Sequence, residues 1–275
     1  MASAIAAIFL WASLAALAFK LSHLPPFFLT GIGMIIGSFA LAPGLTQWRV
    51  PWRTFAIGVL ALTLYHAALF AAFQWAPAVS ANLINYLWPL LIVVLAPWVQ
   101  PGEKLTLRIA LAGVVGFAGA ALAIVGDRGL HFEKRAVFGY ILALAAALIW
   151  SVYSLSLRRL PAFPNAAVGL FNLGAGILSL WISAVAESWP RIQSEDWPYL
   201  CAIGAGPLGL AFFFWDRAAK TLPPRQLGVL SFLTPVLSTA LLFLITQQMP
   251  TQHLALAALL VILAIGIATS RGKND

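Results

Sequence analysis

Eight residues with usable chemistry lie inside long apolar runs of this chain, where a polar atom needs a partner or a wet cavity. Tyr65 and His66 share one run, Asn82, Asn85, Tyr86 and Trp88 the next, and Trp150 and Tyr153 a third. On a regular helix Asn82, Asn85, Tyr86 and Pro89 fall on one face, whereas Trp88 points well away from Tyr86. Pro89 changes that geometry, because it cannot donate to the carbonyl of Asn85 and disfavours helical geometry at Trp88. A break there turns both aromatics towards one cavity; the competing reading is a plain kink packed against neighbours. Trp150, Tyr153 and Ser154 follow at i, i+3 and i+4, the spacing of either a binding stripe or ordinary packing. His66 is read either as a substrate or proton ligand or as the donor of one interhelical hydrogen bond.

The rest of the inventory points away from catalysis. No paired carboxylate lies within an apolar run, no His/Cys/Asp cluster has metal spacing, and no Gly-rich loop opens a phosphate site. We therefore expect no catalytic residue, no metal and no cofactor. With no deep carboxylate, coupling would run through His66 or be absent. Ser231, Thr234, Pro235 and Ser238 suit a cavity wall or helix packing, and Pro235 joins Pro89 as an expected hinge or helix break. Of the consecutive Phe212, Phe213, Phe214 and Trp215, some must face outward. Asp216 and Arg217 are expected to pair at a membrane boundary, Cys201 to be a small buried hydrophobe, and Gly33 and Gly37 to form a small-residue contact.

Composition supplies the elements that must hold these residues. Apolar side chains make up 62% of the 275 residues and charged ones 9%, with a mean hydropathy of +0.94. The 16 basic and 8 acidic side chains cannot cover a soluble surface of this size, so lipid must surround the chain. Ten spans are expected: Ala2–Phe19, Phe27–Ala42, Phe55–Phe73, Val79–Val99, Leu107–Val125, Val137–Leu157, Ala166–Ala186, Tyr199–Ala219, Gln226–Leu244 and Leu254–Thr269. The first is read as a retained helix rather than a signal peptide, since no positive charge precedes it.

Basic residues set the orientation. With the N-terminus inside, Arg49, Arg53, Lys104, Arg108, Arg158, Arg159, Arg217, Lys220, Arg225, Arg271 and Lys273 are cytoplasmic, against Lys20, Arg128, Lys134, Arg135 and Arg191 outside. Both termini are then cytoplasmic. The net charge of +8 is a topology signal, and no basic arm suggests nucleic-acid binding.

A faint internal repeat completes the layout. Pro77 and Pro89 recur 146 residues on as Pro223 and Pro235, and Trp11 and Pro25 recur 139 residues on as Trp150 and Pro164. This predicts an all-α integral membrane protein with a five-helix repeat at 1–128 and a second at 129–275, with a loop insertion between the two offsets. Five is odd, so the second repeat enters the membrane inverted, which places equivalent helices around a midplane cavity suited to a transporter.

Asn85-Tyr86-Leu87-Trp88-Pro89, Tyr65-His66 and the doubled five-helix layout resemble the EamA family of the drug/metabolite transporter superfamily, and within it the YddG-like aromatic amino acid exporters. The resemblance covers essentially the whole chain. It implies a bacterial inner-membrane exporter, with aromatic amino acids and cations such as methyl viologen as substrates. It also implies cavity roles for Tyr65, His66, Tyr86, Trp88 and Trp150. Aromatic faces suit such cargo by stacking and by cation–π attraction. Phe232 and Thr234 stand where the repeat would place Tyr86 and Trp88, so an asymmetric cavity is expected. The expected partners are the small-molecule substrate and membrane lipid, with the chain a monomer working by alternating access. A membrane-embedded enzyme and a multidrug or other metabolite exporter are the competing readings.

Overall fold

The computed structural model describes residues 1–100, 102–126, 129–247, 249 and 251–270. Arg128, Arg271 and Lys273, used above for orientation, lie outside the described residues. Those residues fold into fourteen α-helices and no strand. They are α1 (Ala2–Ala12), α2 (Leu14–Lys20), α3 (Pro26–Ala40), α4 (Trp52–Trp75), α5 (Ala78–Asn85), α6 (Trp88–Val99) and α7 (Leu107–Val125). The remainder are α8 (Val137–Ser156), α9 (Val168–Ala186), α10 (Asp196–Ala205), α11 (Ala211–Thr221), α12 (Pro224–Ser231), α13 (Leu233–Thr246) and α14 (Gln252–Thr269).

Several run on as single rods: α1 with α2, α5 with α6, α10 with α11 through a π-helical turn at Gly206–Leu210, and α12 with α13. Nine stretches among the described residues are thus long and apolar enough to cross a membrane. The second expected span is shorter than the sequence suggests. Its helix stops at Ala40 and gives way to 3₁₀ turns over Ala42–Gln47. Pro43 explains the stop: it has no N–H for the carbonyl of Phe39 and disfavours helical geometry at Ala42.

The outer surface is what lipid requires. Leu107, Leu259 and Val185 are exposed, while Trp75, Trp189 and Trp197 stand near one set of helix ends and Trp52 and Trp98 near the other. Cys201 corrects the expectation made for it, since it is exposed on this apolar surface rather than buried.

Helices meet mainly as α3 with α9, α4 with α8, α7 with α14, α1 with α11, α3 with α10 and α6 with α12. Lipid gives helices no hydrophobic reason to associate, so close contact depends on small residues. Gly37 shows the limit. A Cβ there would lie 2.7 Å from the carbonyl oxygens of Gly204 and Leu208, so α3 touches the π-helical turn backbone to backbone. Gly33 faces Leu208 beside it.

The N-terminus of α3 carries unpaired amides, as every helix start does. Glu187, just past the end of α9, supplies the acceptor: its carboxylate takes the N–H of Phe27 at 3.0 Å and of Phe28 at 3.1 Å. Negative charge at a helix start is also favoured by the macrodipole. Replacing Glu187 with Ala should therefore destabilise the α3–α9 pair by about 1 kcal/mol, with Glu187→Gln in between. Thermal unfolding in detergent measures this, and equal midpoints for all three proteins would refute the cap.

Candidate functional site

The break between α5 and α6 is the local event on which the site is built. The N–H of Tyr86 still reaches Asn82, but that of Leu87 reaches only Ile84, and regular bonding resumes with Leu91 to Leu87. This tightened turn rotates the chain enough that Tyr86 and Trp88 both line one cavity, although a regular helix would point them apart. Pro89 itself is buried behind that wall, and its carbonyl oxygen lies 2.6 Å from where a Cβ on Gly228 of α12 would be. A second break separates α12 from α13 at Phe232, and there Thr234 and Pro235 line the same cavity.

The cavity measures about 940 Å³. It brings together Tyr65, His66, Asn82, Asn85, Tyr86, Trp88 and Trp150 of the sequence-predicted set. Tyr153 is a correction. It is buried and does not reach the cavity, lying instead behind Trp150 with ring centroids 5.6 Å apart. The i, i+3 spacing gave both residues one face of α8, but the Trp150 ring fills that face first.

Polar groups on the wall are individually placed. His66 Nδ1 lies 2.7 Å from the Leu62 carbonyl oxygen, an intrahelical bond that fixes the ring with Nδ1–H as donor and leaves Nε2 an acceptor. Asn85 Nδ2 donates to the Tyr65 hydroxyl at 3.4 Å.

Beneath these groups lies an aromatic floor that sequence reading saw only in part. Trp11, noted above only as a repeat marker, is its hub: its ring centroid is 5.7 Å from Trp150, 5.7 Å from Phe212 and 5.1 Å from Trp215. Trp150 stacks on Trp215 at 5.9 Å, and Trp88 meets Trp215 edge-on at 5.3 Å. Hydrogen bonds hold the rings. Trp11 Nε1 donates to the Pro207 carbonyl at 3.1 Å, Trp215 Nε1 to Ser154 Oγ at 3.0 Å, and Ser151 Oγ to the Trp88 carbonyl at 3.0 Å. Two of the acceptors around the π-helical turn are thereby accounted for, since Asn172 Nδ2 donates to the neighbouring Leu208 carbonyl at 3.0 Å. The Trp-to-Pro207 contact spans 196 residues, which no local pattern reveals.

From this floor the cavity runs to the end of the bundle where Ser22, Ala78, Gly126 and Thr251 stand. The opposite end is closed by charge. Asp216 is buried, which corrects its expected place in a boundary pair with Arg217 and adds a second ionisable side chain to His66 in the interior. Lys220 Nζ lies 2.7 Å from Asp216 Oδ2, 3.0 Å from the Phe163 carbonyl oxygen, 3.2 Å from Asn165 Oδ1 and 3.3 Å from the Phe163 ring centroid. Arg158 donates from Nε to the Ala219 carbonyl at 2.9 Å, from Nη2 to the Leu222 carbonyl, and from Nη1 to Gln100 Oε1 at 3.3 Å. Two cations thus tie the C-terminal carbonyls of α11 and its flank to α8, to the end of α6 and to the chain before α9, where the helix dipole also favours them.

An aromatic cavity closed at one end thus lies inside a bundle of membrane-length helices. The model of the EamA-like transporter family matches residues 1–125 and 137–270. The chain belongs to the EamA-like transporter family. It is 37% identical over 274 residues to the aromatic amino acid exporter YddG of Ancylobacter novellus, covering 96% of this chain and 94% of that protein. It is 28% identical over 190 residues to the aromatic amino acid exporter YddG of Escherichia coli K12, covering 66% of this chain and 62% of the other. A crystal structure at 36% identity superposes with a TM-score of 0.93 over 97% of this chain and 95% of that one. This EamA-family chain is therefore a multi-pass membrane protein of a transporter family, and not an enzyme.

The hub role of Trp11 is open to test. Trp11→Phe keeps a ring but leaves the Pro207 carbonyl without its donor, and should cost about 1–3 kcal/mol of stability. Trp11→Leu should cost more by also removing the ring contacts. Unfolding in detergent followed by circular dichroism reads both, and a Phe variant as stable as the parent would show that the indole hydrogen bond is dispensable.

Proposed function

We propose that this protein exports aromatic amino acids and related small molecules across the bacterial inner membrane. The observation that carries the reading is the cavity itself. Tyr65, Tyr86, Trp88 and Trp150, together with Trp11 and Phe212, wall a space large enough for such a molecule. Ring faces and edges favour an aromatic side chain, and Asn82, Asn85 and His66 are available to its polar end. The names of two relatives support the same cargo.

The proposed architecture is ten spans in two inverted five-helix repeats, 1–128 and 129–275, with both termini cytoplasmic. Counting rods in chain order, the principal pairings are first with eighth, third with sixth, second with seventh, fourth with ninth, fifth with tenth, second with eighth, third with seventh, fourth with sixth and first with ninth. Adding five to each number, and wrapping past ten, maps this set onto itself, as a two-fold relation between the halves requires. The breaks support the repeat too, since Pro89 and Pro235 occupy matching places after α5 and α12. α3, at 15 residues, would be the second span in chain order and complete the ten, its ends finished by the flanking chain.

On this topology the cavity mouth faces outside and the charged seal faces the cytoplasm. Alternating access then requires the Arg158 and Lys220 contacts to break, with the turns before Pro89 and Pro235 taking up the bend. Transport is proposed to be uncoupled and the working unit a monomer. Asp216 does not argue for proton coupling, because Lys220 already neutralises it. Methyl viologen gains support from the ring faces alone, and a broader multidrug range is the second reading that those faces favour.

Labelled Phe, Tyr and Trp should show saturable counterflow in proteoliposomes, reduced at least about tenfold by Trp150→Ala and by Tyr86→Ala. Absence of transport for all three amino acids by well-folded protein would sink the cargo. A pH gradient alone should drive no uphill accumulation, and accumulation would end the uncoupled reading.

The seal makes its own prediction. In a Cys201→Ala background, a cysteine replacing buried Leu157 should react slowly with an impermeant maleimide applied at the closed end. Adding Arg158→Gln and Lys220→Met should speed labelling about tenfold by raising the population of the open form. An unchanged rate would mean that the two cations do not hold that end shut.

A further inference from the structure

Towards the closed end of the molecule the two broken rods touch through their backbones. A Cβ on Gly228 of α12 would lie 2.6 Å from the Pro89 carbonyl oxygen, 2.7 Å from Val93 Cγ2 and 3.6 Å from Ile92 Cγ2, so α12 lies directly on α6. Ile92 and Val93 are buried there. Only a residue without a side chain permits this approach.

The 146-residue offset that relates Pro77 and Pro89 to Pro223 and Pro235 gives each of these residues a counterpart. α12 maps onto α5 and α6 onto α13, with Asn82 in the place of Gly228, Pro235 in that of Pro89, and Ser238 and Thr239 in those of Ile92 and Val93. All four counterparts line the cavity. No comparable packing joins α5 to α13, which face each other across that space, and Asn82, Ser238 and Thr239 are only half-buried. Asn82 and Ser238 each stand one turn nearer the mouth than Tyr86 and Thr234. Thr239 Oγ1 is engaged, donating to the Ala123 carbonyl at 3.2 Å. The Asn82 amide and the Ser238 hydroxyl have no hydrogen-bond partner among the described residues, and their polar atoms keep access to the cavity.

When the halves of an inverted repeat exchange roles, the closed contact of one state is the template for the closed contact of the other. We infer that Asn82 and Ser238 form the outer gate: when the cytoplasmic end opens, α13 swings onto α5 as α6 lies on α12 here, and the Asn82 amide pairs with the Ser238 hydroxyl between the occupant and the mouth. The gate rests on the proposed inverted repeat and topology. It differs from the inner contact in material. Asn82 keeps α13 further from α5 than Gly228 keeps α6 from α12, and its amide fills the gap with a neutral hydrogen bond. The inner end has backbone packing together with the Arg158 and Lys220 contacts. The outer gate has less to offer, in keeping with a structure that rests open at the mouth.

Cross-linking in proteoliposomes tests the gate. In a Cys201→Ala background, Asn82→Cys and Ser238→Cys together should form a disulfide under mild oxidation, read as loss of free thiol, because closure brings the two β carbons within its reach. The lock should cut counterflow of labelled phenylalanine at least about tenfold, with reductant restoring it. Adding Arg158→Gln and Lys220→Met should speed disulfide formation about tenfold. Ser238→Ala should lower the maximal counterflow rate about fivefold while moving the half-saturation concentration less than about twofold, and Ser238→Thr should recover the rate. Size-exclusion profiles and melting curves matched to the parent protein establish that the variants fold. No disulfide, or one that leaves counterflow intact, would overturn the gate. So would an unchanged disulfide rate in a seal variant in which Leu157→Cys labels faster, and a parent-like rate in folded Ser238→Ala would overturn the hydrogen bond. Labelling of the single Asn82→Cys and Ser238→Cys proteins from the cytoplasmic side alone would overturn the topology, and the gate with it. Disulfide formation needs no substrate, so failure to carry aromatic amino acids would overturn the cargo and leave the cross-link to decide the gate.

Discussion

A main-chain carbonyl or amide inside hydrocarbon has no water to turn to, and this requirement governs where the chain departs from regular helix. The departures are few and specific. At the α5–α6 break the chain compensates with a shorter-range bond from Leu87 to Ile84. At the π-helical turn it borrows donors from afar, Trp11 for Pro207 and Asn172 for Leu208. At the end of α1, Ser13 Oγ donates to the Leu10 carbonyl at 2.7 Å. The first two repairs also place rings. Tyr86 and Trp88 follow from the first, and the Trp11 hub from the second.

The two ends of the cavity are built from opposite materials for the same reason. Its wall is aromatic and hydrogen-bonding but carries no fixed charge among the described residues, so it tolerates being wet or occupied. Its closed end uses Asp216, Lys220 and Arg158, whose charges are matched by one another, by carbonyls and by the Phe163 ring. Buried ionic contacts contribute little net stability when water can replace them. They suit a seal that must form and dissolve more than a core that must persist.

Hydropathy made nearly all of the spans legible, because lipid imposes length and composition on each helix independently. Pro89 made the α5–α6 break legible, since a missing N–H is a property of one residue. What the sequence hid depended on tertiary neighbours. Trp11 reads as one more apolar residue until Pro207 is known to lie beside it. Tyr153 shares the Trp150 face, yet a larger ring stands between it and the cavity. Asp216 looks interfacial when counted along the chain, but α11 continues to Thr221 and the bundle closes over it. Cys201 sits in an apolar run whose outward face meets lipid, and apolar composition alone does not say which face is outward.

The pairing of early helices with late ones bears on how the molecule comes into being. α3 meets α9, α4 meets α8, and α7 meets α14, so the small residues of the first helices to leave the ribosome face partners not yet synthesised. Gly31 waits for Leu180, and Gly37 for Gly204. The nascent chain must hold these grooves in the bilayer, filled by lipid tails or by insertion machinery, until the last helix emerges. Assembly is consequently a late, concerted event, and a chain that terminates early offers the cell's membrane proteases a set of helices with their packing faces bare.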